Sequence, residues 1–356
     1  NTGNMYLRFE NQLTGVTDTA IVYEHVTNTD HPFLLGAEDE DVSHGIVVNR
    51  NVQGVDGFAL QAGSGQTIST HTGDTIGEKF ASFIYTGGTD KFISVNGYVA
   101  GEGAVTDSID LDLIFTRDVA SGGSEDNNDF VGKIWEVFLS TSDLSGKRIA
   151  LENSILSANG LTVPEQTLLE KYDGAEGAFS TRCINREHVG PIIKLRAAQT
   201  TEETEDVYLD STGVVNESRI TALCTDDEAS NALVDGFVNT WYDQSSFGYD
   251  VTNTTDAQQP KIHDATDGIV LLNGQPAVKF DGSDDILQSS SVSINTEAMI
   301  CVSSEDADGV GTIFRHSQAF IRYKSNNTIE YRNNNELRDN TGNNVTEALG
   351  EATLTS

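Results

Sequence analysis

The sequence predicts an all-β fold of two sandwiches in tandem, and three observations carry that expectation. Apolar residues alternate strictly at Ile109, Leu111, Leu113 and Phe115, which sends one face of a strand into a core and the other into water. Turn-forming clusters punctuate the apolar runs, at Thr86-Gly-Gly-Thr-Asp90, Asn96-Gly97 and Ser121-Gly-Gly-Ser-Glu-Asp-Asn-Asn-Asp129. The length of 356 residues exceeds one ordinary sandwich and suits two. With 37% hydrophobic residues, among them 15 Phe and 10 Tyr, the chain can pack a core and is not a disordered polymer.

Residues 1–156 are expected to form the first sandwich, with its N-terminal part missing. Its β-rich runs are Thr19-Ala-Ile-Val-Tyr-Glu-His25, Gly45-Ile-Val-Val48, Gly57-Phe-Ala-Leu60, Lys79-Phe-Ala-Ser-Phe-Ile-Tyr85, Lys91-Phe-Ile-Ser-Val95 and Ser108–Phe115. Asn96-Gly97 closes a hairpin, because both residues tolerate the positive φ of a tight turn. Val131, Ile134 and Val137 mark a closing strand, on which Trp135 is read as a core filler. Asp143 or Ser142 can cap a following helix whose Ile149, Ile155 and Leu156 face the sandwich. Residues 157–177 are a linker with a short helical piece around Glu165–Tyr172. Residues 178–356 form the second sandwich, with its C-terminal part missing.

In that second half, Phe237, Val238 and Trp241 make a short apolar strand running into the turn Asp243-Gln-Ser-Ser-Phe-Gly-Tyr-Asp250. Pro276, Val278 and Phe280 make another that stops at Asp281-Gly282. An internal comparison sets Phe9-Glu-Asn-Gln-Leu13 and Ala20-Ile-Val-Tyr-Glu24 beside Phe280-Asp-Gly-Ser-Asp284 and Ala298-Met-Ile-Cys-Val302. It pairs Pro32–Leu35 with Gly311–Phe314. Two copies cut at both outer ends account for this, so the chain reads as a window into a longer one.

The segments Phe237–Asp250 and Gly274–Leu287, with Ala178-Phe-Ser-Thr-Arg182 and Gly190-Pro-Ile-Ile-Lys-Leu-Arg196, resemble a concanavalin-A-like (laminin-G-like) β-sandwich. The variant is the one found in α-L-arabinofuranosidase B catalytic domains, secreted bacterial proteins and structural proteins of marine phages and large viruses. Phe130–Leu139 with Ser142–Leu156 resembles the closing strand and trailing helix of laminin-G-like domains. The resemblance implies two tandem jelly-roll sandwiches. It transfers no catalytic residue, because the matching region ends before the carboxylates such glycosidases use, and the family's paired neighbouring cysteines are absent.

Charge narrows the partners. The chain carries 21 basic and 55 acidic residues, a formal net charge of −34, which repels nucleic acid and anionic membranes. No run of about 20 apolar residues offers a membrane span. Scattered acids suit a protein solvated in salty surroundings, with Ca²⁺ sites as the alternative. Cys183, Cys224 and Cys301 are odd in number and lack the spacing of a zinc site. One disulfide with a free thiol, or three free thiols, both fit. The Asn-x-Ser/Thr sequons at Asn216, Asn253, Asn326 and Asn344 are expected in so Asn/Thr-rich a chain.

The candidate glycan contacts are Trp241, Tyr242, Phe247, Tyr249 and Tyr98, aromatics at or near turns. Against that, Trp241 on a core strand and an Asp-Gln-Ser turn bracing the backbone explain the same residues structurally. Asp281, Asp284 and Asp285 are the candidate Ca²⁺ ligands, off the EF-hand pattern; the acidic loop Gly36–Asp41 is a second candidate. His71 and Asp74 have no nucleophile motif beside them. No cofactor is required. The expected function is a non-catalytic adhesion or structural module, extracellular or on a virion surface, such as a fibre, spike or decoration protein. Its partners are surface glycans or other subunits, with homo-oligomers expected, and neither nucleic acid nor membrane insertion. The alternatives are a secreted bacterial glycan-binding or glycoside-hydrolase-associated protein, and a purely architectural virion or surface-layer component.

Overall fold

The computed structural model describes residues 7–25, 33–36, 45–48, 58–61, 67–69, 78–103, 109–114, 132–199, 203–225, 232–289, 300–304, 312–316, 319–324, 328–333 and 336–337. The chain separates into two compact units, residues 1–280 with 285–290 and residues 281–284 with 291–356. The division into sandwiches at 1–156 and 178–356 is kept as a proposal about folding modules.

The larger unit begins with eleven strands: β1 (Leu7–Val16), β2 (Asp18–His25), β3 (Phe33–Gly36), β4 (Gly45–Val48), β5 (Phe58–Gln61), β6 (Thr67–Ser69), β7 (Lys79–Tyr85), β8 (Phe92–Val95), β9 (Tyr98–Glu102), β10 (Ile109–Ile114) and β11 (Gly132–Ser140). They form two antiparallel sheets, ordered β1-β10-β3-β4-β5-β6 and β11-β2-β7-β8-β9. Asn96 (φ 51°) and Gly97 (φ 92°) make the expected tight turn between β8 and β9. Ile109, Leu111 and Leu113 of the expected alternation do fall on a strand, though their side chains and Phe115 lie outside the described residues.

The β2, β7 and β8 strands of the five-stranded sheet are buried on both faces. Ala20, Val22, Ala81, Phe83, Tyr85 and Phe92 line one face and receive Ile155 and Leu156 from helix α1 (Arg148–Ala158). Ile21, Tyr23, Phe80, Ile84 and Ile93 alternate with them and are equally buried. So β7 is buried without a break from Phe80 to Tyr85, with Ser82 as its polar member. Trp135 corrects the sequence reading: it is 46% exposed, with the Lys79 ammonium 4.3 Å from its ring centroid. The cause is local. β11 is the outermost strand of its sheet, and the pairing with β2 slips between Ile134 and Glu136, leaving Trp135 as the extra residue of a bulge.

A buried charge network sits under α1. The Glu152 carboxylate is wholly inaccessible and accepts from Ser94 Oγ (2.5 Å) and Tyr85 Oη (3.4 Å). It lies 3.4 Å from Arg148 Nη1 and 3.3 Å from Arg186 Nη2. Arg186 also donates to Gly97 O and Asn153 Oδ1, and Arg148 to Arg186 O. Residues on both sides of 157–177 therefore share one polar core. That segment contains α2 (Leu168–Lys171), opened by a capping box between Thr167 and Glu170.

The rest of this unit carries β12 (Ile193–Ala197), β13 (Glu203–Val207), α3 (Glu217–Leu223), β14 (Gly236–Trp241), β15 (Val251–Thr252), β16 (Lys261–Asp264), β17 (Gly268–Ile269), β18 (Leu271–Leu272) and β19 (Gln275–Pro276). The main sheet runs β13-β12-β14-β16-β17, all antiparallel. Ile193, Leu195, Val207, Val238 and Ile262 form its core with Ile220 and Leu223 of α3. Asn216 caps α3 by accepting from Arg219 N (2.9 Å). The expected strand through Pro276, Val278 and Phe280 is only half present. β18 and β19 form a short hairpin, Val278 packs on the core, and Phe280 is 45% exposed.

The smaller unit carries an antiparallel sheet of β20 (Thr312–His316), β21 (Ala319–Lys324), β22 (Thr328–Asn333) and β23 (Glu336–Leu337). Throughout, antiparallel sheets dominate and helices are few: the chain is all-β.

Candidate functional site

The loop from Tyr242 to Asp250 is built around one buried carboxylate. Asp243 accepts four hydrogen bonds: from Ala178 N (2.7 Å), Ser245 N (2.8 Å), Ser245 Oγ (2.6 Å) and Tyr249 N (2.8 Å). Ser245 Oγ in turn accepts from Phe247 N (3.2 Å). Gln244, also buried, accepts from Ile184 N and donates to Ser180 O and Arg182 O. The Asp-Gln-Ser turn thus clamps the Ala178–Ile184 segment with its side chains, as such short polar residues do in turns. Gly248 adopts φ 67°, a left-handed turn that suits glycine.

This scaffold fixes two aromatic rings at the loop tip. Phe247 is 50% exposed and Tyr249 half-buried, their ring centroids 5.5 Å apart at 35°. The other aromatic candidates are engaged inside the protein. Trp241 packs against the second core and donates from Nε1 to Ser180 O (3.3 Å). Tyr98 packs on the same core with its ring against the backbone of Gly213, where no side chain has room. Burial pushes its phenol above the usual range.

Tyr242 donates to Asp206 Oδ1 (2.6 Å) at the start of the loop. Tyr208, just past β13, is hydrogen-bonded to Glu102 at the end of β9. Desolvation, then these carboxylates, raise both phenols above their ordinary value. Asp250 Oδ1 accepts from Asp243 N (2.9 Å) at the other end of the loop. The charges of Asp250 and Glu102 add to the upward push on the Tyr242 phenol. Sequence reasoning missed Glu102, Asp206 and Asp250. Each lies in a different segment, and no local motif joins them.

The acidic candidates Asp281, Asp284 and Asp285 bring one carboxylate oxygen each within 4.8 Å of one another. Asp281 Oδ1 accepts from Ser283 N (2.8 Å) and Asp284 N (3.3 Å), so an Asx turn accounts for the local geometry. The loop 37–41, His71 and Asp74 lie outside the described residues. Cys183 and Cys224 are buried free thiols, pushed up by burial to about 11 and about 12, and Cys301 is an exposed one. Asn216 and Asn253 are buried, which removes both sequons as glycan acceptors.

Among the described residues no helix is long and apolar enough to cross a membrane. No protein-family model matches the chain, and no curated protein does. Partial likenesses exist among solved structures. One is the heptameric SAP-like pentraxin from Limulus polyphemus, 13% identical over 46% of this chain and 81% of that one, with TM-score 0.35. Domain 4 of AbnA, a GH43 extracellular arabinanase from Geobacillus stearothermophilus solved with arabinotriose, is 14% identical over 39% and 66%, with TM-score 0.31. Domains LG4-5 of the mouse laminin alpha1 chain are 14% identical over 40% and 43%, with TM-score 0.28. The chain thus spans about four fifths, two thirds and under half of these three lengths, and likeness at this level assigns no role to any residue.

Proposed function

We propose that this chain is a non-catalytic glycan-recognition module of an extracellular assembly, a virion fibre, spike or decoration protein, acting through the 242–250 loop. One observation carries the reading: Phe247 and Tyr249 stand at the surface on a loop already fixed by the four hydrogen bonds of Asp243. Exposed aromatic faces on a rigid turn are suited to the C–H faces of sugars, and pre-organisation lowers the entropy lost on binding. Weak single-site affinity is enough when several copies act from one particle. No cofactor enters the reading, and Ca²⁺ at Asp281, Asp284 and Asp285 is its alternative form.

The test is a glycan array with the assembled protein, paired with a reducing-sugar assay on the same glycans. Binding that is lost in Phe247→Ala and Tyr249→Ala, without sugar release, supports the proposal. Sugar release defeats the non-catalytic part, and silence in both assays leaves an architectural component.

A further inference from the structure

We infer that one face of the four-stranded sheet in the smaller unit is an assembly surface, which takes the carboxylate-flanked segment 165–173 of a second copy of this chain. The register defines that face. Arg315 stands opposite Phe320, Phe320 opposite Arg332, and Arg332 opposite Leu337. Thr312, Arg322 and Glu330 form the next row, and Lys324 with Thr328 the third. Residues opposite one another, and residues two apart along a strand, share a face. Arg315, Arg322, Lys324 and Arg332 therefore lie together, within roughly 10 by 14 Å, with Glu330 as the acid among them. The other face holds Phe314, Ile321 and Tyr331 in one row and Tyr323 with Ile329 in another, an apolar side suited to a core. Thr312 and Arg315 are exposed, which marks the cationic face as the outer one.

Composition makes this face an exception. Residues 312–337 hold four basic and two acidic residues, while the rest of the chain holds 17 basic and 53 acidic. A neighbouring copy thus offers carboxylates in excess, and a cationic face is their complement. Charge alone gives attraction without register, so a specific seat needs apolar area as well. The 165–173 segment supplies both. Leu168 is 43% exposed and Tyr172 69%, one turn apart across the bond from Tyr172 N to Leu168 O (2.9 Å). Glu165 and Asp173, both exposed, flank them, and Lys171 is the base between. Tyrosine faces attract guanidinium groups, and Phe320 and Leu337 share the row of Arg315 and Arg332. The net charge of −34 does not govern such a contact in 150 mM salt, where the Debye length of about 8 Å confines each charge to its neighbours. The 242–250 loop takes no part, so this inference stands apart from the glycan reading.

Sedimentation velocity on the whole chain over a concentration series tests this. Self-association is expected in 150 mM NaCl and should weaken by about tenfold in 1 M, where the Debye length is about 3 Å. Arg322→Glu/Lys324→Glu and, separately, Leu168→Ala/Tyr172→Ala should each leave a monomer. Mixing the two variants should restore association, because each keeps the surface that the other has lost. Leu168 and Tyr172 are exposed, so their variant decides alone if the charge reversal does not fold. A wild type that is monomeric throughout, an association indifferent to 1 M salt, or one that survives both variants overturns the inference. A monomer that binds a sulfated polysaccharide through the same basic residues also overturns it, and makes the face a ligand site instead.

Discussion

Replacing Glu152 by glutamine removes a carboxylate that sits between two buried guanidiniums while keeping its shape. Ser94 Oγ and Tyr85 Oη retain an acceptor, so the change falls on the charge. Arg148 and Arg186, 3.4 and 3.3 Å away, are then left buried without it. Removing one member of a buried ion pair costs about 3–5 kcal/mol, chiefly through the uncompensated charge that stays behind. Taking about 4 kcal/mol, at roughly 2–4 °C per kcal/mol for a domain of 150–250 residues, Tm should fall by about 8–16 °C. The exposed pair Lys133–Glu24, at 2.7 Å with the lysine 62% accessible, is the control. Lys133→Ala should change stability by less than about 1 kcal/mol.

The same network predicts how the chain comes apart. Arg148, Glu152 and Asn153 lie on α1, Gly97 in the β8–β9 turn, and Arg186 beyond the 157–177 segment. The two tryptophans stand on either side of that segment, Trp135 on β11 and Trp241 on β14. Single-tryptophan variants, Trp135→Phe and Trp241→Phe, therefore report each side separately by fluorescence. Both probes should melt together in wild type and shift together in Glu152→Gln. A Glu152→Gln shift under 2 °C, or two transitions of which only one moves, refutes the reasoning.

Other perturbations read single sites. Asp243→Ala deletes the acceptor of four hydrogen bonds and should cost about 2–4 kcal/mol, with new proteolysis within 244–249 visible by mass spectrometry. At pH 8 Cys301 should alkylate within minutes in the folded protein, whereas Cys183 and Cys224, held up at about 11 and about 12 by burial, should react only in denaturant. Burial also raises the Asp18 carboxyl above its ordinary value, outweighing the backbone donors Leu144, Gly87 and Thr86. Its stabilising contribution is therefore full below the unfolded pKa near 3.9 and is lost as pH rises through the elevated folded value. Urea unfolding should accordingly show Asp18→Asn gaining on wild type between pH 4 and pH 7. For the −34 charge, NaCl should raise Tm broadly through screening; a further selective rise in millimolar Ca²⁺, lost in Asp281→Asn/Asp284→Asn, would assign a metal to that turn.

What the sequence made legible was what local chemistry decides. The Asn96-Gly97 hairpin, the strands β2, β7 and β8, the helix carrying Ile155 and Leu156, and the Asp-Gln-Ser turn are each written within a few adjacent residues. Trp135 was misread because a bulge turns an aromatic outward, and a register slip leaves no mark in composition. Arg148 and Glu152 look like an ordinary solvated i,i+4 pair on a helix; their burial depends on Arg186, on Ser94 and Tyr85 from two other strands, and on the sheet beneath. The candidate site divides along the same line. Phe247 and Tyr249 could be found because they flank a glycine turn, whereas Asp206 reaches the Tyr242 hydroxyl only once β13 has folded beside the loop. The exposed aromatic pair is therefore encoded locally, and the partner of the Tyr242 hydroxyl is encoded by topology. Local chemistry thus fixes the turn held by Asp243, and tertiary folding decides which side chains surround it.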